Sequence, residues 1–195
     1  FDILFILLWL ILPYIVIQLL LLFMMIFHHF VFYFFVCLMH PIETRIRNSY
    51  ANKAKKKLAL FKGIVIGITG SYGKTSIKNL VYDVLSMKYL CLKTRGSYNN
   101  QMGITKTILE EMNLQEVFIC EMGADHVHEI EDLCKFVCPS IGILSAIGPQ
   151  HLSTFKSIEN ILYEKMKLLE SLPNTGMGFY NFDNFYLKQM DMKLD

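Results

Sequence analysis

Two patterns divide the chain. Residues 3–37 contain no Asp, Glu, Lys or Arg, and apolar side chains follow one another without a polar face. Wound as one helix, residues 3–38 would run about 54 Å, against the roughly 30 Å of a bilayer core. Pro13 is expected to divide the block: 14–36 is long enough to cross with some tilt, and 1–12 reads as the remnant of an earlier helix or a re-entrant piece. A signal peptide fits less well, because the apolar run is too long, no basic start precedes it and no small-residue cleavage site follows. From Gly63 the pattern changes. Apolar runs at 63–69, 89–92, 117–120, 141–147 and 176–182 read as strands. Between them, 74–87, 104–112, 127–136 and 157–172 read as helices, the first with Ile77, Leu80, Val81, Val84 and Leu85 on one side. Ser157 is a candidate cap, Pro139 a helix stop, and 94–103 a polar loop.

This alternation predicts an α/β fold of the P-loop type: a mostly parallel sheet with flanking helices and right-handed crossovers, preceded by one or more transmembrane helices. Ligands then belong at the carboxyl ends of the strands. The expected organisation is a membrane segment at 1–40, a basic juxtamembrane linker at 41–62 and a nucleotide-handling domain at 63–195. Starting at Phe1 and stopping at Asp195 without a clear end to the fold, the chain reads as a piece of a longer one.

Composition adds two points. With 53% hydrophobic and 18% charged residues, disordered, collagen-like and disulfide-stapled classes are excluded. The net charge of +2 excludes a global polyanion-binding surface, so no nucleic-acid partner is expected. The basic excess is local: Arg45, Arg47, Lys53, Lys55, Lys56, Lys57 and Lys62 follow the apolar block, with only Glu43 opposing. That placement predicts a cytoplasmic face for the downstream domain at the cell membrane. The odd count of five cysteines suits reduced thiols, and the C-x3-C pair Cys134 and Cys138 is read as buried apolar residues, not as a zinc site. His28 and His29, inside the apolar block, are expected at a helix–helix contact without chemistry.

Four motifs carry chemistry. TGSYGKTS (69–76) lies between a strand and a helix, the context a phosphate-binding loop requires. Gly70 and Gly73 let backbone N–H groups face phosphate oxygens, the helix start adds its dipole, Lys74 reaches the β- and γ-phosphates, and Thr75 offers a hydroxyl to Mg2+. One departure is that the usual leading glycine would stand at Ile68, with Gly67 one position early. In CEMGADH (120–126), Glu121 leaves a strand end where a carboxylate can hold Mg2+, or merely cap the next helix. In IGPQHL (147–152), His151 is a cation ligand or a plain loop histidine. Lys165 sits in LYEKMKLLESLP, where an isolated lysine is ordinarily solvated.

Taken in order, TGSYGKTS, TRGSYNNQMGIT, EMGA, GPQHL, Lys165 fourteen residues after His151, and NFDN resemble the central ATPase domain of the Mur ligases, most closely the MurF type. The resemblance covers about 63–184, roughly two-thirds of the chain. It implies that Gly70, Ser71, Gly73, Lys74, Thr75 and Ser76 bind the phosphates of ATP, and that Thr75, Glu121, His151 and a carbamylated Lys165 hold Mg2+. It places Asn181 near the adenine, and Thr94, Asn99 and Asn100 in a loop toward the substrate. Lys74, Lys165 and His151 would be the catalytic set. The implied reaction activates a carboxylate as an acyl phosphate for attack by an amine. The implied substrates are a UDP-N-acetylmuramoyl peptide and D-alanyl-D-alanine, in peptidoglycan precursor synthesis. The family's uridine-nucleotide domain and C-terminal domain have no counterpart in the 195 residues, so the resemblance implies that this stretch alone does not complete the ligation. The alternatives are a Mur-like amide ligase acting on another acid, a membrane-coupled P-loop ATPase, or a catalytically dead anchor.

Overall fold

The computed structural model describes residues 2–191; Phe1 and residues 192–195, the last of the expected 63–195 domain, lie outside it. Two compact units are present, 1–48 and 49–195. The first consists of helix α1 (Asp2–Ala59) as far as Asn48. The expected break at Pro13 does not occur, and α1 is continuous through both Pro13 and Pro41. Each proline removes one N–H from the ladder, while the neighbouring turns keep their own bonds. Along Ile11–Ala59 the helix is long and apolar enough to cross a membrane, and its most apolar stretch is wholly exposed. His29 is satisfied within its own helix, its Nδ1 lying 2.7 Å from the Met25 carbonyl.

The second unit begins at Ser49, so residues 49–59, read from sequence as linker, are part of it. Ala51 and Ala54, three apart on one face of α1, are buried in the core, and Lys57 donates to the Leu109 carbonyl at 3.1 Å. Five strands follow: β1 (Ile64–Thr69), β2 (Cys91–Lys93), β3 (Val117–Glu121), β4 (Ile141–Leu144) and β5 (Met177–Tyr180). The helices are α2 (Lys74–Leu85), α3 (Gln101–Glu111), α4 (Glu129–Val137), α5 (Leu152–Phe155), α6 (Ile158–Glu170) and α7 (Phe185–Asp191). Of these, α5 and α7 are too short for periodicity to reveal. The sheet order is β2-β3-β1-β4-β5, with every pairing parallel.

That order decides where the helices go. The chain leaves β1 toward β2, then reverses and crosses to β4 and β5. A right-handed crossover therefore puts α2 on one face and α3, α4 and α6 on the other. The strands alternate accordingly. Val65, Leu92, Phe118, Cys120 and Leu144 join the larger core, whereas Ile66, Ile68, Val117 and Ile119 pack against Ile77, Val81, Tyr82 and Leu85 of α2. Leu80 and Val84, expected on the packed side of α2, are exposed, because the sheet accepts only the narrower stripe. Gly67, Gly142 and Gly178 form a row in register across β1, β4 and β5. Leu168, Leu169 and Leu172 press into that row, so α6 lies close to the sheet and carries Lys165 toward the strand ends.

Candidate active site

The strand order reverses at β1, which lies between β3 and β4, and in such a sheet ligands belong at the carboxyl end of that strand. The 70–76 turn leaves β1 at that end. Gly70 has φ +147°, and a Cβ there would meet Ser145 Oγ at 2.0 Å; Gly73 has φ +80°. Ser71 is buried; its N–H donates to the Ala146 carbonyl at 2.6 Å and its hydroxyl to the Gly148 carbonyl at 3.1 Å. The Ser145 hydroxyl donates to the Tyr72 carbonyl at 2.6 Å. The turn is thus pinned to the segment leaving β4. Gly73 caps α2 without a side-chain bond, leaving the helix start with its N–H groups and positive dipole end. Lys74 folds over the turn, donating to Gly70 O at 2.7 Å and Ser71 O at 3.2 Å. Burial lowers its pKa, while Glu121 and Asp125 pull the other way. Ser76 is exposed in the first turn of α2. Ile68, where the usual motif has glycine, is fully buried beneath α2.

Glu121 ends β3 on the face of Val117 and Ile119, which aims its buried carboxylate at α2. The Thr75 hydroxyl lies 3.1 and 3.0 Å from its two oxygens. Lys78, one turn beyond Lys74, brings Nζ to 2.8 Å from Glu121 Oε2 and also donates to the Gly96 carbonyl. The Glu121 N–H donates to Thr94 Oγ1 at 3.1 Å. Past β3, Asp125 Oδ1 lies 3.2 Å from His151 Nε2, at the start of α5. Lys165 is buried, unlike an ordinary isolated lysine on a helix, and donates to the Ala124 carbonyl at 3.2 Å. Its pKa falls to about 8, first through burial and then through the Lys74 charge, against the pull of Glu164, Asp125 and Glu129.

The expected cation ligands therefore fall into two groups. Thr75 and Glu121 touch directly; His151 is reached through Asp125, with Lys165 held at the neighbouring residue. Among the described residues no three His, Cys, Asp or Glu side chains are grouped as a ready metal cage. Thr75 and Glu121 nonetheless supply hard oxygen donors of the kind Mg2+ prefers alongside phosphate oxygens. Of the expected substrate-loop residues, Thr94 is fully buried and serves as an acceptor for β3. Asn99 lies against Gly123, accepting its N–H at 2.8 Å, and the Asn100 side chain caps α3 by accepting from Gly103 N at 2.9 Å. Asn181 follows β5; its N–H donates to Leu144 O at 3.2 Å and its Oδ1 accepts from Asp183 N at 3.1 Å. Cys134 is buried, its thiol pKa pushed up to about 11 by desolvation, but Cys138, expected inside, is exposed at the end of α4.

Sequence reasoning missed Asp125 and Lys78. Asp125 stood inside CEMGADH, four residues beyond the carboxylate chosen there. Lys78 stood at i+3 from Thr75 and i+4 from Lys74, adjoining the apolar stripe of α2, where a lysine must find a buried partner.

Residues 68–195 match the family model of the Mur ligase middle domain. The UDP-N-acetylmuramoyl-tripeptide–D-alanyl-D-alanine ligase of Bacillus subtilis is 34% identical over 116 residues, 60% of this chain and 25% of that protein. The ligase of the same name from Mycobacterium bovis is 38% identical over 120 residues, covering 62% of this chain and 24% of its own length. The chain thus spans about a quarter of the curated relatives it matches. Among solved structures, MurF of Thermotoga maritima in complex with ADP superposes with a TM-score of 0.69 at 31% identity, covering 75% of this chain and 34% of that one. MurF of Acinetobacter baumannii gives the same TM-score at 26% identity, covering 75% and 32%. The chain belongs to the Mur ligase family, through its middle domain.

Proposed function

We propose that residues 63–195 are the nucleotide-handling domain of an ATP-dependent carbon–nitrogen ligase that joins D-alanyl-D-alanine to UDP-N-acetylmuramoyl tripeptide. The observation that carries this reading is the contact between Thr75 of the phosphate turn and Glu121 of β3, with the Lys74 charge acting on both Glu121 and Lys165. Gly70, Ser71, Gly73 and Ser76 shape the turn whose N–H groups, with the dipole of α2, receive the phosphates of ATP. Lys74 exchanges its two carbonyl partners for phosphate oxygens and steadies the charge that grows on the transferred group. Asn181, at the end of β5, belongs to the adenine side.

In the proposed reaction a carboxylate oxygen of the acid attacks the terminal phosphorus and ADP departs; the amine then displaces phosphate from the acyl phosphate. Mg2+, held by Thr75 and Glu121, would neutralise phosphate charge. On the far side, Asp125 orients His151, and a carbamylated Lys165 would add a carboxylate in place of a buried ammonium. Thr94, Asn99 and Asn100 set the loop that faces the acid. We read α1 as a membrane anchor at residues 1–40. The basic run from Arg45 to Lys62 keeps the ligase domain at the cytoplasmic surface.

The test is phosphate release from ATP by the full-length gene product, with the tripeptide nucleotide and D-alanyl-D-alanine omitted in turn. Release requiring both supports the assignment; release indifferent to both overturns it.

A further inference from the structure

Lys78 is among the most deeply buried side chains of the chain, with 1% of its surface exposed, and it takes no part in the chemistry above. A buried ammonium is expensive unless each partner is well placed. Its partners lie on different segments. Glu121 Oε2 ends β3, and the Gly96 carbonyl belongs to the loop that carries Thr94, Asn99 and Asn100. Lys78 itself rides on α2, the helix whose first turn holds Lys74 and Thr75. One side chain therefore ties the phosphate-binding helix, the proposed cation ligand and the proposed substrate loop together.

We infer that Lys78 is a positioning residue that couples the nucleotide side of the site to the 94–100 loop. The inference rests on reading Glu121 as a ligand of the nucleotide-bound cation. Two effects follow from the geometry. Holding Oε2 fixes the carboxylate rotamer, in which both oxygens lie within reach of the Thr75 hydroxyl. When the Glu121 charge is drawn toward a cation, its pull on the ammonium weakens, and Lys78 leans on the Gly96 carbonyl instead. The loop then tightens as the nucleotide binds. By linkage, acid substrate seated on the loop must strengthen nucleotide binding by the same factor.

Hydrogen exchange tests this in two arms. Without nucleotide, Glu121→Gln is compared with the double variant Lys78→Met/Glu121→Gln, which removes both buried charges and leaves neither orphaned. Amides 95–100 should exchange about fivefold faster or more in the double variant, with β1 and β3 unchanged; equal exchange overturns the inference. In the second arm, Mg2+ and ADP are added to the wild-type chain and to Lys78→Met. Both should gain protection at 70–76, but only the wild type should gain it at 95–100. Loop protection in Lys78→Met equal to wild type overturns the coupling. Lack of protection at 70–76 in the wild type would instead indict the nucleotide reading, and the first arm would still decide whether Lys78 holds the loop.

Discussion

The carboxylate of Glu164 accepts the backbone N–H of Ile130, at 2.7 Å, from across the gap between α6 and α4; its other oxygen accepts the His128 N–H, also at 2.7 Å. Glu164 is fully buried, and α4 has no side-chain cap of its own from His128, which sits at φ +71°. The acid on α6 thus serves as the cap of α4, and by doing so fixes the position of its neighbour Lys165.

Glu164→Ala should cost about 2–5 kcal/mol, since two buried N–H groups lose a charged acceptor. Glu164→Gln keeps one acceptor oxygen and should cost roughly half as much. Urea unfolding midpoints check both. A loss in Glu164→Ala no larger than that of an exposed carboxylate such as Glu170 would refute the capping role.

The glycine row makes a second stability prediction. A Cβ at Gly142 would meet Leu169, Leu168 and Leu172 at 3.1–3.2 Å, whereas at Gly178 only Leu169 comes as near, at 3.2 Å. Gly142→Ala should therefore destabilise by about 1–3 kcal/mol through overpacking, and Gly178→Ala by less. Thermal melts rank the two. The reverse order would mean that α6 is not held against β4 as described.

Much of this fold could be read from pattern alone, for identifiable reasons. From Val65 onward β1 is buried on both faces, as is β3, so 65–68 and 117–120 appear as unbroken apolar runs. The Ser157 cap was legible because its hydroxyl accepts from Asn160 N, the local geometry that a capping serine implies. Other features were not legible because they depend on contacts distant in sequence. Lys165 looks solvated until α6 is laid on the glycine row. Leu80 and Val84 look packed until the sheet order leaves α2 alone on its face. The Pro13 break failed for a different reason, since a proline is compatible with a helix whose other turns remain bonded. Within the candidate site, TGSYGKTS and Glu121 could be chosen locally, but Asp125 and Lys78 become visible only through their partners.

Asp125 yields a prediction about cation binding. If it orients His151 toward a bound cation, Asp125→Asn should weaken that cation by about 10–100-fold, the usual effect of losing a ligand's supporting carboxylate. Mn2+ titrated in the presence of ADP gives the measurement. An unchanged Mn2+ affinity would place Asp125 and His151 outside the cation site and leave Thr75 and Glu121 as its protein ligands.

Lys165 ties burial to pH and to bicarbonate. Its pKa is about 8 in the folded chain, against about 10.4 for an unfolded lysine. Between those values the unfolded state holds more protons, so stability should rise with pH from about 8 to about 10. Lys165→Met should lack that rise, and an identical pH slope in both proteins would refute the shift. The same neutral amine can add to CO2: a nitrogen–carbon bond forms, the N–H proton leaves to solvent, and a carbamate anion remains. With 13C-bicarbonate at pH 8.5, a carbamate carbon resonance should appear in the wild-type chain and be absent from Lys165→Met. The new anion would lie near Asp125, which also acts electrostatically on Lys165, so a compensating cation should favour it. Adding Mg2+ with ADP should accordingly strengthen the signal. A signal that Mg2+ leaves unchanged would mean that any carbamate at Lys165 is not a ligand of the nucleotide's cation.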